Sequence, residues 1–154
     1  MPKMFAALQA NYRWKGLDVS VSFRGAFGFD ILNAYRMKYE TLAWLSSFNV
    51  PKSAYQKVGE YYNFAPSIYS DRYIESGDYV KLDNLTIGYT FDLSQRNKVI
   101  RSIRVFCTGM NLLTISGYSG LDPEVAIVGL TSGVDPINKY PNLRSYIVGA
   151  SFNF

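Results

Sequence analysis

Three kinds of side chain in this sequence could act on another molecule: a carboxylate pair, a cysteine and a set of aromatics in long connections. Asp122 and Glu124 stand two apart in Tyr118-Ser119-Gly120-Leu121-Asp122-Pro123-Glu124. Two carboxylates so spaced could form an acid–base pair or hold a cation. No further cluster accompanies them, and Asp-Pro is ordinary turn chemistry, so the turn is the preferred reading. Cys107 is the only cysteine and cannot form an internal disulfide. It shares the Ile/Val side of Ile103-Arg104-Val105-Phe106-Cys107 and reads as a packed small apolar residue, not a nucleophile. The chain has no histidine, which removes the commonest general base and metal ligand. No catalytic residue, metal site or cofactor is therefore expected. Trp44, Tyr61, Tyr62 and Tyr118 remain as candidate ligand contacts. Most other aromatics near them are expected to pack a small core of their own.

The elements that would position these residues are strands. From Leu143 to Phe154 the even positions beginning at Tyr146 read Tyr146, Val148, Ala150, Phe152 and Phe154, against a small and mostly polar odd face. Successive side chains of a strand point to opposite faces, so one side of this segment is apolar throughout. A soluble sheet rarely leaves such a rim on an edge strand, whereas a transmembrane β-barrel needs it. Residues 4–14 repeat the pattern and end on Trp14. Lys15-Gly16 makes a two-residue turn, and 17–29 return with Leu17, Val19, Val21, Phe23 and Phe27 on one face. Further strands are expected at 79–91 and 102–113. In the first of these, Val80 and Leu82 have the opposite parity to Leu85, Ile87, Tyr89 and Phe91, which predicts a β-bulge at Asp83-Asn84. In the second, Phe106 and Met110 fall on the face that should be polar. A plug or folded-in loop packed inside a barrel would account for them.

Residues 30–77 break the alternation. Asp30 is placed to N-cap a helix, and Leu32, Tyr35, Tyr39 and Leu42 recur at helical spacing. The segment holds ten aromatics, which argues against disorder. Residues 114–142 form a second long connection rich in Gly, Pro, Ser and Asn.

Composition agrees with a barrel. Aromatics are 16% and charged residues 18%, the latter below the roughly 25% of ordinary domains. Mean hydropathy is near zero, yet no run of about 18 apolar residues exists to form a membrane helix. The net charge of +4 is scattered and no nucleic-acid motif is present, so no nucleic-acid partner is expected. Met1-Pro2-Lys3-Met4 runs straight into a strand without an apolar leader, so if the protein is exported, Met1 is not expected to be its natural start. Bacterial outer-membrane barrels have short periplasmic turns and long extracellular loops. On that rule the connections 30–77 and 114–142 face outside, the C-terminus is periplasmic, and Trp14, Phe91 and Phe154 share the periplasmic aromatic girdle.

The run Gly77-Asp78-Tyr79-Val80-Lys81-Leu82-Asp83-Asn84-Leu85-Thr86-Ile87-Gly88-Tyr89 resembles the C-terminal part of the SusC/RagA-like TonB-dependent outer-membrane transporters. So do Ser102-Ile103-Arg104-Val105, Gly109-Met110-Asn111-Leu112-Leu113, the Tyr118 to Glu124 segment, Tyr140-Pro141, Arg144 and the terminal Gly149 to Phe154. Met110 departs from the polar residue usual at its place. The resemblance implies an all-β, antiparallel, up-and-down transmembrane barrel of the plugged, 22-stranded class. This chain would supply its last five strands and two long extracellular loops, the first with a short helix, and would lack the plug. The implied activity is TonB-dependent import of a glycan or peptide. The implied partners are a SusD-like surface lipoprotein, the TonB complex acting through the missing N-terminal part, and outer-membrane lipid. The barrel-assembly machinery would read Tyr146, Val148, Ala150, Phe152 and Phe154. The competing reading is a small soluble β-barrel or sandwich that binds an apolar ligand. An enzyme ranks lowest.

Overall fold

A computed structural model describes residues 1–58, 61, 62, 64, 68–94, 99–125, 132–137, 140 and 142–154. In chain order the elements are β1 (Met4–Trp14), β2 (Leu17–Phe27), β3 (Asp30–Asn33), α1 (Ala34–Tyr39), β4 (Lys57–Val58), β5 (Tyr61–Tyr62), β6 (Ile74–Ser76), β7 (Tyr79–Asp92), β8 (Ser102–Ser116), β9 (Val134–Asp135) and β10 (Ser145–Asn153). Short 3₁₀ turns occupy Leu42–Trp44, Lys52–Tyr55 and Asp71–Tyr73. The chain divides into two compact units, one holding the long strands and one holding most of residues 27–78 and 116–141.

The strand unit is an open antiparallel sheet in the order β1-β2-β7-β8-β10. Its first hairpin turns on Lys15 and Gly16, at φ 44° and 88°. Two positive φ values in a two-residue loop match the right-handed twist of the flanking strands. A Cβ on Gly16 would also lie 2.7 Å from the Thr90 carbonyl oxygen. Strand β2 pairs with β7 through Val19↔Ile87 and Val21↔Leu85, then Phe23↔Leu82, so the register slips by one at Asp83. The bulge restores parity, and Val80 and Leu82 join the apolar face of Leu85 and Ile87. Strand β10 pairs with β8 through Val148↔Cys107, Ala150↔Val105 and Phe152↔Ile103. Paired residues share a face, so one apolar surface runs from β2 to β10. That surface is bare: Val148 is 75% exposed, Tyr146 70% and Phe154 72%.

The opposite face is polar and cross-linked. Arg104 on β8 reaches over Gly88 on β7 to Asp18 on β2, with Nε–Oδ1 at 2.9 Å and Nη2–Oδ2 at 2.5 Å. Thr86 and Thr108 share a hydrogen bond at 2.8 Å. Phe106 packs along the sheet itself. Its ring lies against Gly149 of β10, where a Cβ would come within 2.5 Å, and the Arg104 guanidinium sits 5.0 Å from the ring centre. Met110 pairs with Ser145 and stays 40% exposed.

In the second unit β3 pairs antiparallel with β6 and parallel with β9. The two long connections thus share one small sheet. Strand β2 stops at Phe27 rather than running on to 29, because Gly28 turns at φ 73° and donates its N–H to Asp78. The N-cap of α1 is Asn33, not Asp30: the Asn33 side chain accepts the Arg36 N–H at 3.0 Å. Asp30 is spent on β3, and the helix lasts six residues before Thr41 caps the next 3₁₀ turn. The helical stripe read from Leu32 to Leu42 is therefore split among three elements. Phe29, Ile31, Ala34, Leu42, Ala54, Tyr73 and Tyr118 are buried and form this unit's core. Among the described residues no helix is long and apolar enough to cross a membrane.

Candidate ligand-binding site

The loop unit is fastened by a carboxylate knot. Glu75, in the middle of β6, accepts from Arg36 Nη1 at 2.5 Å, Ser119 N at 2.7 Å, Ser119 Oγ at 2.8 Å and Asn33 Nδ2 at 3.2 Å. Burial pushes the Glu75 carboxyl upward, but the Arg36 and Ser119 hydrogen bonds outweigh it and hold the group below the usual carboxylate range. Arg36 also grips the buried Glu40 at 2.9 Å, with Arg72 at 3.8 Å on the same oxygen. Residues from the first long connection thereby hold Ser119 of the second.

That fastening leaves a pocket of about 270 Å³ lined by Tyr35, Leu121, Asp122, Asp135, Pro136 and Ile137. Its walls are apolar and aromatic, and its acidic residues Asp122 and Asp135 are buried. Tyr118 backs it: the hydroxyl donates to Asp135 Oδ2 at 2.5 Å. Burial, and next the Asp135 hydrogen bond, keep the Tyr118 phenol protonated well above the ordinary tyrosine range. The Glu124 N–H donates to Asp122 Oδ1 at 3.0 Å, the turn chemistry expected of Asp122-Pro123. A run of rings leads away from the pocket wall. Tyr35 and Tyr39 lie 4.8 Å apart, Tyr39 and Phe48 5.4 Å, and Phe48 and Trp44 5.6 Å with planes only 17° apart.

The sequence-derived residues fall as follows. Trp44 is at the far end of the ring run and 36% exposed. Tyr118 is buried behind the pocket and presents no open face. The backbones of Tyr61 and Tyr62 form β5, paired with β4, and their side chains lie outside the described residues. Tyr146, Val148, Ala150, Phe152 and Phe154 project from one face of the last strand and are exposed. Trp14, Phe91 and Phe154 stand at the sheet end joined by Thr90 N to Gly16 O, Leu93 N to Arg101 O and Arg101 N to Asn153 O, each 2.8 Å. The pocket residues Tyr35, Asp135 and Ile137 were not singled out from sequence. Only the Gly-Val-Asp-Pro sequence at 133–136, a second Asp-Pro like Asp122-Pro123, hints at Asp135.

No protein-family model matches the chain. It is similar to TonB-dependent receptor P3 of Formosa agariphila, 26% identical over 178 residues that take in 99% of this chain and 16% of that protein. It is 28% identical over 153 residues to TonB-dependent receptor SusC of Bacteroides thetaiotaomicron, covering 96% of this chain and 15% of that one. Among solved structures, the RagAB peptide importer in its closed-closed state superposes with a TM-score of 0.83 at 26% identity, over 100% of this chain and 17% of the other. The chain thus spans about a sixth of the length of the proteins it matches.

Proposed function

We infer from this chain, the barrel portion of a SusC/RagA-like TonB-dependent receptor, that it serves TonB-dependent import of a nutrient across an outer membrane. The cargo is of the glycan or peptide class. The chain supplies closing strands of the barrel and two long loops that face outside the cell. The carrying observation is the bare apolar surface of the sheet. Hydrocarbon is the medium in which Tyr146, Val148 and Phe152 at 54–75% exposure are stable on a strand whose alternate residues are polar. A soluble barrel or sandwich would turn that face inward.

Several finer statements follow from this reading. The sheet end carrying Trp14, Phe91 and Phe154 is the periplasmic girdle, where aromatic rings favour the interface. The C-terminus is then periplasmic, and the even residues of β10 from Tyr146 to Phe154 are the segment read by the barrel-assembly machinery. The open edges of β1 and β10 pair with further strands of the same barrel, since unpaired edges are not tolerated in lipid. A SusD-like lipoprotein closes over the outward loops, and the TonB complex acts through a part of the receptor beyond this chain. Trp44, Tyr61 and Tyr62 belong to the ligand-facing loops, and Tyr118 supports that surface from behind.

The test is genetic and biochemical. The gene for the full receptor is deleted and restored, and the outer-membrane fraction is probed for the protein. The expected result is recovery in that fraction, with nutrient uptake that requires both the receptor and an energised TonB system. A soluble protein in the periplasm or cytosol would end this reading.

A further inference from the structure

The sheet end that carries Trp14 and Phe91 holds a recess of about 460 Å³, between the Lys15-Gly16 turn and the end of β7. Lys15, Gly16, Tyr89, Phe91 and Asp92 are among its lining residues. Its apolar side follows from strand register. The two-residue turn sets Trp14 opposite Leu17, and Leu17 pairs with Tyr89, so the three share one face of β1, β2 and β7. Phe91 is two residues further along β7 and belongs to the same face, its ring 4.8 Å from Tyr89 and set edge-on. Trp14, Tyr89 and Phe91 are all exposed. The recess therefore borders the bare apolar face of the sheet.

Two opposite charges stand in the same lining. The Lys15 ammonium lies 5.1 Å from the centre of the Trp14 ring, a cation–π contact that draws it toward the apolar face. Asp92 accepts the Ser94 N–H at 2.9 Å, which holds its carboxylate at the end of β7. Lys15 leans on Trp14 and Asp92 on Ser94, so both charges are presented to the recess. A ligand that matches them has an anionic group, a cationic hydrogen-bond donor and hydrocarbon. A lysine ammonium binds phosphate as a point charge. A primary ammonium gives a carboxylate charge-assisted hydrogen bonds, and a quaternary one has no N–H to give. Trp14 adds an indole N–H donor, and such amphipathic rings favour the level of lipid headgroups. A recess of about 460 Å³ falls within the roughly 300–1,000 Å³ of small-molecule sites.

We propose that this recess is a site for an amine-bearing glycerophospholipid: its phosphate meets Lys15, its ammonium meets Asp92, and its glycerol and upper acyl carbons lie over Tyr89 and Phe91. This rests on the outer-membrane reading, because it fixes one lipid at a named place on the face that reading gives to hydrocarbon. The full-length receptor is stripped of lipid in detergent and offered phosphatidylethanolamine, phosphatidylcholine or phosphatidylglycerol with identical chains. Bound lipid is followed by native mass spectrometry. The expected result is retention of phosphatidylethanolamine in preference to both others. Lys15→Asn should weaken that retention about fivefold, the effect of one basic side chain at a headgroup. Lys15 sits at φ 44°, and Asn-Gly is a favoured pair for such a turn, so the hairpin is kept. Asp92→Asn keeps an oxygen for the Ser94 N–H, removes the charge, and should erase the preference over phosphatidylglycerol. Equal retention of the three lipids, or a preference that neither variant moves, overturns the lipid site and leaves the import reading standing. Recovery of the receptor as a soluble protein without detergent sinks the membrane reading, and this site with it.

Discussion

The Arg104–Asp18 pair offers a test in which three residues on three strands must respond as a unit. The guanidinium crosses β7 where Gly88 leaves room. A Cβ at Gly88 would lie 2.7 Å from Arg104 Nη2 and 2.8 Å from both Asp18 carboxylate oxygens. Gly88→Val therefore pushes the Arg104 and Asp18 side-chain ends out of their present bridge geometry. Two charge-assisted hydrogen bonds are disturbed, each of which would contribute about 1.5–3 kcal/mol if fully buried. The side chains are 35% and 22% exposed, so solvent replaces much of that. The expected cost is about 1–2 kcal/mol. The informative quantity is the coupling. In an Arg104→Ala background the valine meets only the mobile Asp18 carboxylate, and its cost should fall by about 1 kcal/mol, within the usual range for residues in contact. The assay is urea-dependent folding of the full-length receptor into phospholipid vesicles, scored by the gel mobility shift of the folded barrel without heating. Additive costs for Gly88→Val and Arg104→Ala would refute the claim that the arginine lies over this glycine.

Other consequences are as direct. Val148 lies one residue from the middle of Ser145–Asn153, within about 3 Å of the strand's midpoint at the usual rise per residue. Val148→Arg should then cost about 2–4 kcal/mol in the same vesicle assay, while Ile147→Arg on the polar face should cost clearly less. Glu75 has a carboxyl pKa below its ordinary 4.5 in the folded loops, so its stabilisation is complete above that pH and is lost as pH falls through the folded value. Limited proteolysis of the connections 30–77 and 114–142 should accelerate as the medium is acidified below about pH 4.5, and Glu75→Gln should flatten that dependence.

How much of this was legible in the sequence differs from element to element. The long strands announce themselves because alternation is a local signal: Leu17 to Phe23 and Tyr146 to Phe154 each state their own face. The bulge at Asp83 was also readable, since a parity switch can be seen within one strand. Phe106 was not, because the residue that makes room for it, Gly149, is forty-three positions away and on another strand. The helix start was misplaced for a related reason. Asp30 is as good an N-cap as Asn33 by type, but β3 claims it through pairing with residues 74–76 and with 134–135. The candidate site was the least legible part. Asp122 could be read as a turn residue, and it is one. That Tyr35 and Asp135 line a pocket with it depends on a two-residue parallel pairing, Leu32↔Val134 and Asn33↔Asp135, too short to leave any period in the sequence.

The account rests on which medium meets the even-numbered face of β10, and one measurement reads that medium. Single cysteines are placed at Val148, Phe152, Ile147 and Ser151 in a full-length receptor otherwise free of cysteine, labelled with an environment-sensitive fluorophore, and reconstituted in vesicles containing brominated lipid. The labels at Val148 and Phe152 should be strongly quenched by the lipid, and those at Ile147 and Ser151 only weakly. Equal quenching at all four sites, or stronger quenching at Ile147 and Ser151, would contradict the membrane-facing assignment of the whole sheet.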